Sequence, residues 1–211
     1  MSLIPVWTYA ENIAGPGAFS PAGPEEAARV EKLADPARRQ EILHARHLMR
    51  TLLAETYERQ ESSVVIHSFD DAPPRAEGFE DIAVSWSRSG PHALAACLPN
   101  GRLGVDLERI RPVRWKAMLD MIATPPERAA LASISEEKTA LVAFYRLWCA
   151  KEALLKWRGT GLRGGAKTVS VPEAVITGDK EKVVVTEGGI EVHLETLCPD
   201  EDLIAVMAFS D

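Results

Sequence analysis

Apolar residues fall at helical spacing in two long stretches of this chain and alternate at strand spacing in much of the rest. Over residues 36–58, Ile42, Ala45, Met49, Leu52 and Leu53 make one stripe, which predicts a long amphipathic helix. A second long helix is predicted from Ser135-Glu136-Glu137 to Gly159, with Leu141, Phe144, Tyr145, Trp148 and Leu155 as its stripe. Thr124-Pro125-Pro126-Glu127 carries the capping-box and early-proline signals of another helix start. Strands are predicted near 6–10, 63–67, 82–86, 93–98, 103–108, 168–171, 182–186, 190–195 and 203–209, and a Pro/Gly-rich loop over 15–24. A long helix with several mostly antiparallel strands, met in each half, predicts an α+β fold.

Two places break the hydrophobic pattern with charge. Glu152 projects from the apolar stripe of the second long helix, one turn beyond Trp148, and Lys156 follows one turn later. A charge at a core-facing position is costly unless it is paired or binds a metal. Upstream, Pro99-Asn100-Gly101 reads as a hairpin turn, and the returning strand is Leu103-Gly104-Val105-Asp106-Leu107-Glu108. Alternation puts the three apolar side chains on one side and Gly104, Asp106 and Glu108 on the other, the two carboxylates roughly 6–7 Å apart. Gly104 leaves room for something to approach the backbone. Taken singly, these are a Glu–Lys helix pair and a solvated edge strand. Taken together, Asp106, Glu108 and Glu152 are a set of hard oxygen donors suited to a divalent ion such as Mg²⁺, which shares its sites with substrate phosphates.

Gly104-Val105-Asp106-Leu107-Glu108, followed some forty residues later by Trp148-Cys149-Ala150-Lys151-Glu152-Ala153-Leu154-Leu155-Lys156, resembles the paired signatures of the 4′-phosphopantetheinyl transferases, G-[IV]-D-x-E and W-x-x-K-E-[AS]-x-x-K. Gly159-Thr160-Gly161-Leu162 is similar to the G-x-G-L that closes the second signature. Length and layout resemble the surfactin-synthetase-activating type, a single chain of two related halves. The resemblance therefore implies a pseudo-dimeric fold of two similar α/β halves, each a long helix packed on a mostly antiparallel sheet. The halves would be 1–100, a wall contacting coenzyme A, and 101–211, bearing the metal and catalytic motifs.

The implied activity is transfer of the phosphopantetheine arm of coenzyme A to a serine of an apo acyl or peptidyl carrier protein, releasing adenosine 3′,5′-bisphosphate. Asp106, Glu152 and Glu108 would hold Mg²⁺ against the diphosphate. Glu152, directly or through a metal-bound water, would take the serine proton, and Lys156 would steady charge on the phosphates. Lys151 is expected to pair or pack locally. The segment Ser85-Trp86-Ser87-Arg88-Ser89-Gly90 lies where the family has S-x-S-H-S-G, so Arg88 replaces a phosphate-contacting histidine, with Ser87 beside it. The family's Gly-Lys-Pro element should fall near Asp71-Ala72-Pro73-Pro74-Arg75, where Arg75 is the only cation. Arg39, Arg46 and Arg50 line the first long helix, either as a solvated basic edge or as further phosphate contacts. Coenzyme A binding is thus expected from Arg88, Ser87, Arg46, Arg39, Arg75 and Lys156.

Carrier proteins of this kind present an acidic helix, whereas the chain carries a formal charge of −7, so docking needs a local basic patch. Arg109, Arg111, Arg114 and Lys116 supply one just past the acidic strand, with Trp115, Met118 and Met121 as apolar contacts. The alternative is a solvated loop and helix start.

Composition narrows the classes further. The chain has 211 residues, 46% of them hydrophobic, enough to bury a core in one or two small domains. The net negative charge argues against a general nucleic-acid binder. Met1-Ser2-Leu3-Ile4-Pro5-Val6-Trp7 lacks the pattern of a signal peptide, and no run approaches about 18 apolar residues. Cys97, Cys149 and Cys198 are widely spaced and suit a reducing compartment, so a cytoplasmic protein is expected. A chain carrying both halves has no need to dimerise. His44 and His47 share a helix without a metal-binding partner, and no phosphate-binding loop or Ser/His/Asp pattern occurs. Two rival readings are a metal-dependent nuclease, disfavoured by the helical Glu–Lys spacing, and a catalytically silent coenzyme A or carrier-protein binding module, disfavoured by the joint presence of Asp106, Glu152 and Lys156.

Overall fold

The computed structural model describes residues 4–12, 17–69 and 72–211. Residues 15 and 16 of the expected Pro/Gly-rich loop, and Asp71 of the element ending at Arg75, lie outside them. The chain divides into two compact units, one ending at Gly101 and one beginning at Arg102. Each carries a long helix on an antiparallel sheet, as the α+β pattern requires.

In the first unit, β1 (Val6–Glu11), β4 (Ile82–Ser89) and β5 (His92–Pro99) form a sheet in the order β1-β5-β4. The helix α2 (Pro36–Thr56) packs on it. Asp35 caps α2 by accepting from Ala37 N at 2.9 Å, and Pro36 opens the first turn. Met49, Leu52 and Leu53 of its stripe meet Val84, Ala93, Ala95 and Cys97 of the sheet. A shorter helix, α1 (Pro24–Glu31), follows the glycine-rich loop where sequence alone predicts no element. The expected strand over 63–67 shrinks to the pair β2 (Ile66–His67) and β3 (Arg75–Ala76).

In the second unit, β6 (Arg102–Arg109), β7 (Lys182–Glu187), β8 (Ile190–Leu197) and β9 (Leu203–Ser210) make a sheet in the order β6-β9-β8-β7. This corrects the expected hairpin. Both edges of β5 are already taken, by β1 and β4, so β6 pairs with β9 instead. Asn100 does adopt positive φ (51°), but its N–H bonds Asp81 O, and the turn passes the chain from one sheet to another.

The helix α5 (Glu137–Arg158) crosses this second sheet. It starts at Glu136, whose carboxylate accepts from Thr139 N at 2.7 Å, and ends at Gly159 with φ 77°. Its burial is wider than a stripe, since Leu147, Cys149, Ala153 and Leu154 are fully enclosed while Leu141 and Trp148 are only partly so. Helices α3 (Trp115–Ile122), α4 (Pro125–Ala132) and α6 (Glu173–Thr177) complete the unit. The strand expected over 168–171 is instead a 3₁₀ turn, Ala166–Thr168, running into extended chain. Val169 and Val171 are buried as a strand's would be, but their backbone groups bond to side chains, Val169 O to Lys151 and Val171 N to Glu127. No helix among the described residues is long and apolar enough to cross a membrane.

Candidate active site

On α5, Cys149, Glu152 and Lys156 recur at i, i+3 and i+7, which sets them on one face. That face lies on β6. Gly104 has no Cβ because one would overlap Ala153 O and Trp157 N, so what approaches its backbone is the backbone of α5. Asp106, two residues on, points the same way. It is 5% exposed. Lys156 Nζ donates to Asp106 Oδ1 and to Val105 O, both at 2.8 Å. The solvated edge strand is therefore excluded for Asp106, although Glu108 is only half-buried.

Glu152 is 8% exposed, and its Oε1 has no hydrogen-bond partner. Burial pushes its carboxyl up to about 7, and Asp106 and Glu108 add to the rise against the lowering influence of Lys156. Burial also raises the Cys149 thiol, with Asp106 contributing, so this cysteine stays a protonated core residue. Among the described residues no three His, Cys, Asp or Glu side chains stand close enough to form a ready metal cluster. The expected carboxylates nonetheless fit a hard cation. A buried, partnerless carboxylate oxygen beside two like charges is a group short of positive charge. Mg²⁺ also keeps several waters and needs only one or two carboxylates besides substrate phosphates.

Lys151 pairs, as expected, but with a partner distant along the chain. It is fully buried and pairs with Glu127 Oε1 at 2.9 Å. Sequence reasoning found Glu127 as a capping residue but missed this pairing, for which the residue's position gives no local signal.

The basic segment after β6 is partly rearranged relative to expectation. Arg111 and Arg114 are exposed. Trp115, expected as a docking contact, is 6% exposed and lies against Phe144 at 5.8 Å between ring centroids. That is a correction: as the first residue of α3 it points into the core. The exposed apolar side chains nearby are Val113 and Met121. Lys116 stays at the surface, paired with Glu137 at 2.8 Å.

The first-unit candidates are dispersed. Arg88 NH1 lies 3.2 Å from Glu41 Oε2, a partner on α2 that sequence reasoning missed. Ser87 is buried on the opposite face of β4 from Arg88. Arg46 is buried too, and its guanidinium donates to Glu26, to Ser68 Oγ at 2.5 Å and to Ile66 O at 2.7 Å. Its burial corrects the solvated basic edge that was one of the two roles expected of it. Arg46 also borders a cavity of about 590 Å³ with Arg50, His47, Glu61 and His67. Arg39 Nε donates to Leu33 O at 2.6 Å, and Arg75 is exposed on β3.

The match to a known family falls on the segments that build this site. The family model of the 4′-phosphopantetheinyl transferase superfamily matches residues 102–202, which span β6 and α5. The chain is 30% identical over 158 residues to a Synechocystis protein provisionally named a 4′-phosphopantetheinyl transferase, covering 73% of this chain and 63% of that one. It is 26% identical over 189 residues to the Nostoc 4′-phosphopantetheinyl transferase HetI, covering 87% and 76%. It is 30% identical over 99 residues to a holo-[acyl-carrier-protein] synthase of Rhodopseudomonas palustris, covering 45% and 70%. The chain thus spans somewhat less than two thirds of the first of these relatives. With Asp106, Glu152 and Lys156 assembled within the matched segment, the chain belongs to the 4′-phosphopantetheinyl transferase superfamily.

Proposed function

We propose that this protein transfers the 4′-phosphopantetheine moiety of coenzyme A to a serine of an apo acyl or peptidyl carrier protein, with Mg²⁺, releasing adenosine 3′,5′-bisphosphate. The observation that carries the reading is Glu152, a buried carboxylate with a partnerless Oε1 beside the Asp106–Lys156 pair. Asp106, Glu152 and Glu108 would hold the Mg²⁺, which when bound neutralises the diphosphate and favours departure of its bridging oxygen.

The chain's own groups do the rest. Lys156, fixed by Val105 O and Asp106 Oδ1, has a third N–H for a phosphate oxygen. Glu152, as the carboxylate, takes the proton from the serine Oγ as that oxygen bonds to phosphorus and the phosphorus–oxygen bond to the nucleotide breaks. In the first unit, Arg88 and Arg75 are the cations proposed for coenzyme A's phosphates, with Arg39 a further candidate. Arg111, Arg114 and Lys116 are proposed to meet the carrier.

Two compact units on one chain, and an alignment to HetI covering 87% of it, favour the single-chain, pseudo-dimeric surfactin-synthetase-activating type acting as a monomer. Cys97 and Cys149, buried and unbridged, favour the cytoplasm. The test is to incubate the protein with coenzyme A, Mg²⁺ and an apo carrier protein and to weigh the carrier. A gain of one phosphopantetheine unit, lost with chelator, is expected. An unchanged carrier mass across fatty acid, polyketide and peptide carriers would refute the reading and leave a binding module.

A further inference from the structure

Lys151 is the one fully buried lysine described, and its surroundings are more elaborate than packing requires. Its ammonium meets three acceptors: Glu127 Oε1 at 2.9 Å, Ala166 O at 2.9 Å and Val169 O at 2.8 Å. Glu127, 2% exposed, is used equally fully. Its Oε1 also accepts from Val171 N at 2.8 Å and its Oε2 from Thr124 N at 2.7 Å, closing the cap of α4. One ion pair thus joins the start of α4, the middle of α5 and the segment 166–171. A buried pair of this kind is weak evidence for stability, because apolar residues of similar size often serve as well. It is better suited to fixing register.

What it would fix is α5. Lys151 and Glu152 are consecutive, so they point about 100° apart around the helix axis. On the face toward β6, α5 is held by backbone contact at Gly104. On the face toward 166–171 it is held by Lys151. Between these two constraints the helix has one axial position, and in it Lys156 reaches Asp106.

We propose that the Lys151–Glu127 pair is a positioning device for the site. It sets the register of α5 so that Glu152 and Lys156 stand against Asp106. This inference rests on the transferase reading above.

The test is the paired variant Lys151→Met, Glu127→Gln, which removes both charges and leaves no buried ion alone. Its comparison is Val175→Ala, a core change in α6 that should lower the melting temperature while leaving both charges of the pair in place. The paired variant should fold cooperatively and keep KM for coenzyme A near the wild-type value. Its kcat should fall by about ten- to a hundredfold, the scale of a small misplacement of reacting groups. Amides of residues 166–171 should exchange faster with deuterium than in the wild type. A folded variant with wild-type kcat overturns the proposal, as does an equal loss of kcat in Val175→Ala. If the paired variant does not fold, Lys151→Gln, Glu127→Gln is used, which again leaves no buried ion alone and keeps an N–H donor at position 151, and the same outcomes decide. Failure of the wild type to modify any carrier would instead remove the transferase reading itself.

Discussion

At Glu152 burial, a partnerless oxygen and two neighbouring carboxylates coincide, and the carboxyl rises to about 7 in response. The Mg²⁺ proposed for this site would answer that deficit of positive charge. Asp106→Ala should lower Mg²⁺-dependent transfer by about two orders of magnitude or more with the fold intact, because both the metal and Lys156 lose their partner. Near-normal turnover at ordinary Mg²⁺ would sink that proposal. Glu108→Ala should be milder, since this residue is half-exposed and further along β6. Arg88 poses a separate question at the same scale. If it holds the 3′-phosphate of coenzyme A, Arg88→Ala should weaken binding by about 1.5–3 kcal/mol, typical of a hydrogen bond to a charged group. Dephospho-coenzyme A should bind variant and wild type alike, whereas equal weakening of both ligands would make the Arg88–Glu41 pair structural.

Two elements can be tested by how they pack. The contact between β6 and α5 is backbone to backbone at Gly104, so a methyl group there meets atoms that cannot rotate away. Gly104→Ala should destabilise the protein by about 1–3 kcal/mol, toward the upper end of the range for overpacking, and reduce transfer by shifting Lys156 from Asp106. An unchanged denaturation midpoint would show that the two elements separate freely. The approach to α3 presents Arg111 and Arg114 to solvent beside Val113 and Met121. Reversing both arginines to Glu should slow encounter with an acidic carrier and flatten its salt dependence, leaving coenzyme A affinity unaltered. Carrier kinetics that match the wild type across a salt series would place docking elsewhere.

For the whole molecule, acid is the informative stress. Burial alone would push Glu26 up, but the Ala22 N–H and the Arg46 and Arg50 guanidiniums outweigh it and hold the carboxyl below its ordinary value of 4.5. A carboxyl lowered on folding contributes stability that is complete above its unfolded pKa and lost as pH falls through the folded one. The melting temperature should therefore drop as pH falls below about 4.5, and Glu26→Gln, less stable at neutral pH, should drop less steeply. Parallel melting curves against pH would mean that Glu26 is not ionised in the fold. The same buried cluster surrounds Arg46, which in sequence looks like any cation on a basic helix flank. Only folding brings Glu26, Ser68 and Ile66 around it.

The sequence by itself determined the two long helices, most of the alternating strands that pack on them and the charged residues Asp106, Glu152 and Lys156 that interrupt the apolar pattern. Periodicity, caps and charge in an apolar stripe are local properties that survive without a fold. The tertiary structure alone decided which strand β6 joins, because pairing depends on which sheet edges are already occupied. It decided that 168–171 is no strand, because buried side chains took the backbone groups that a neighbouring strand would have used. It turned Trp115 inward, and it joined Lys151 to Glu127 across 24 residues of sequence. Each of these depends on partners distant along the chain, and such partners are assigned only when the core closes.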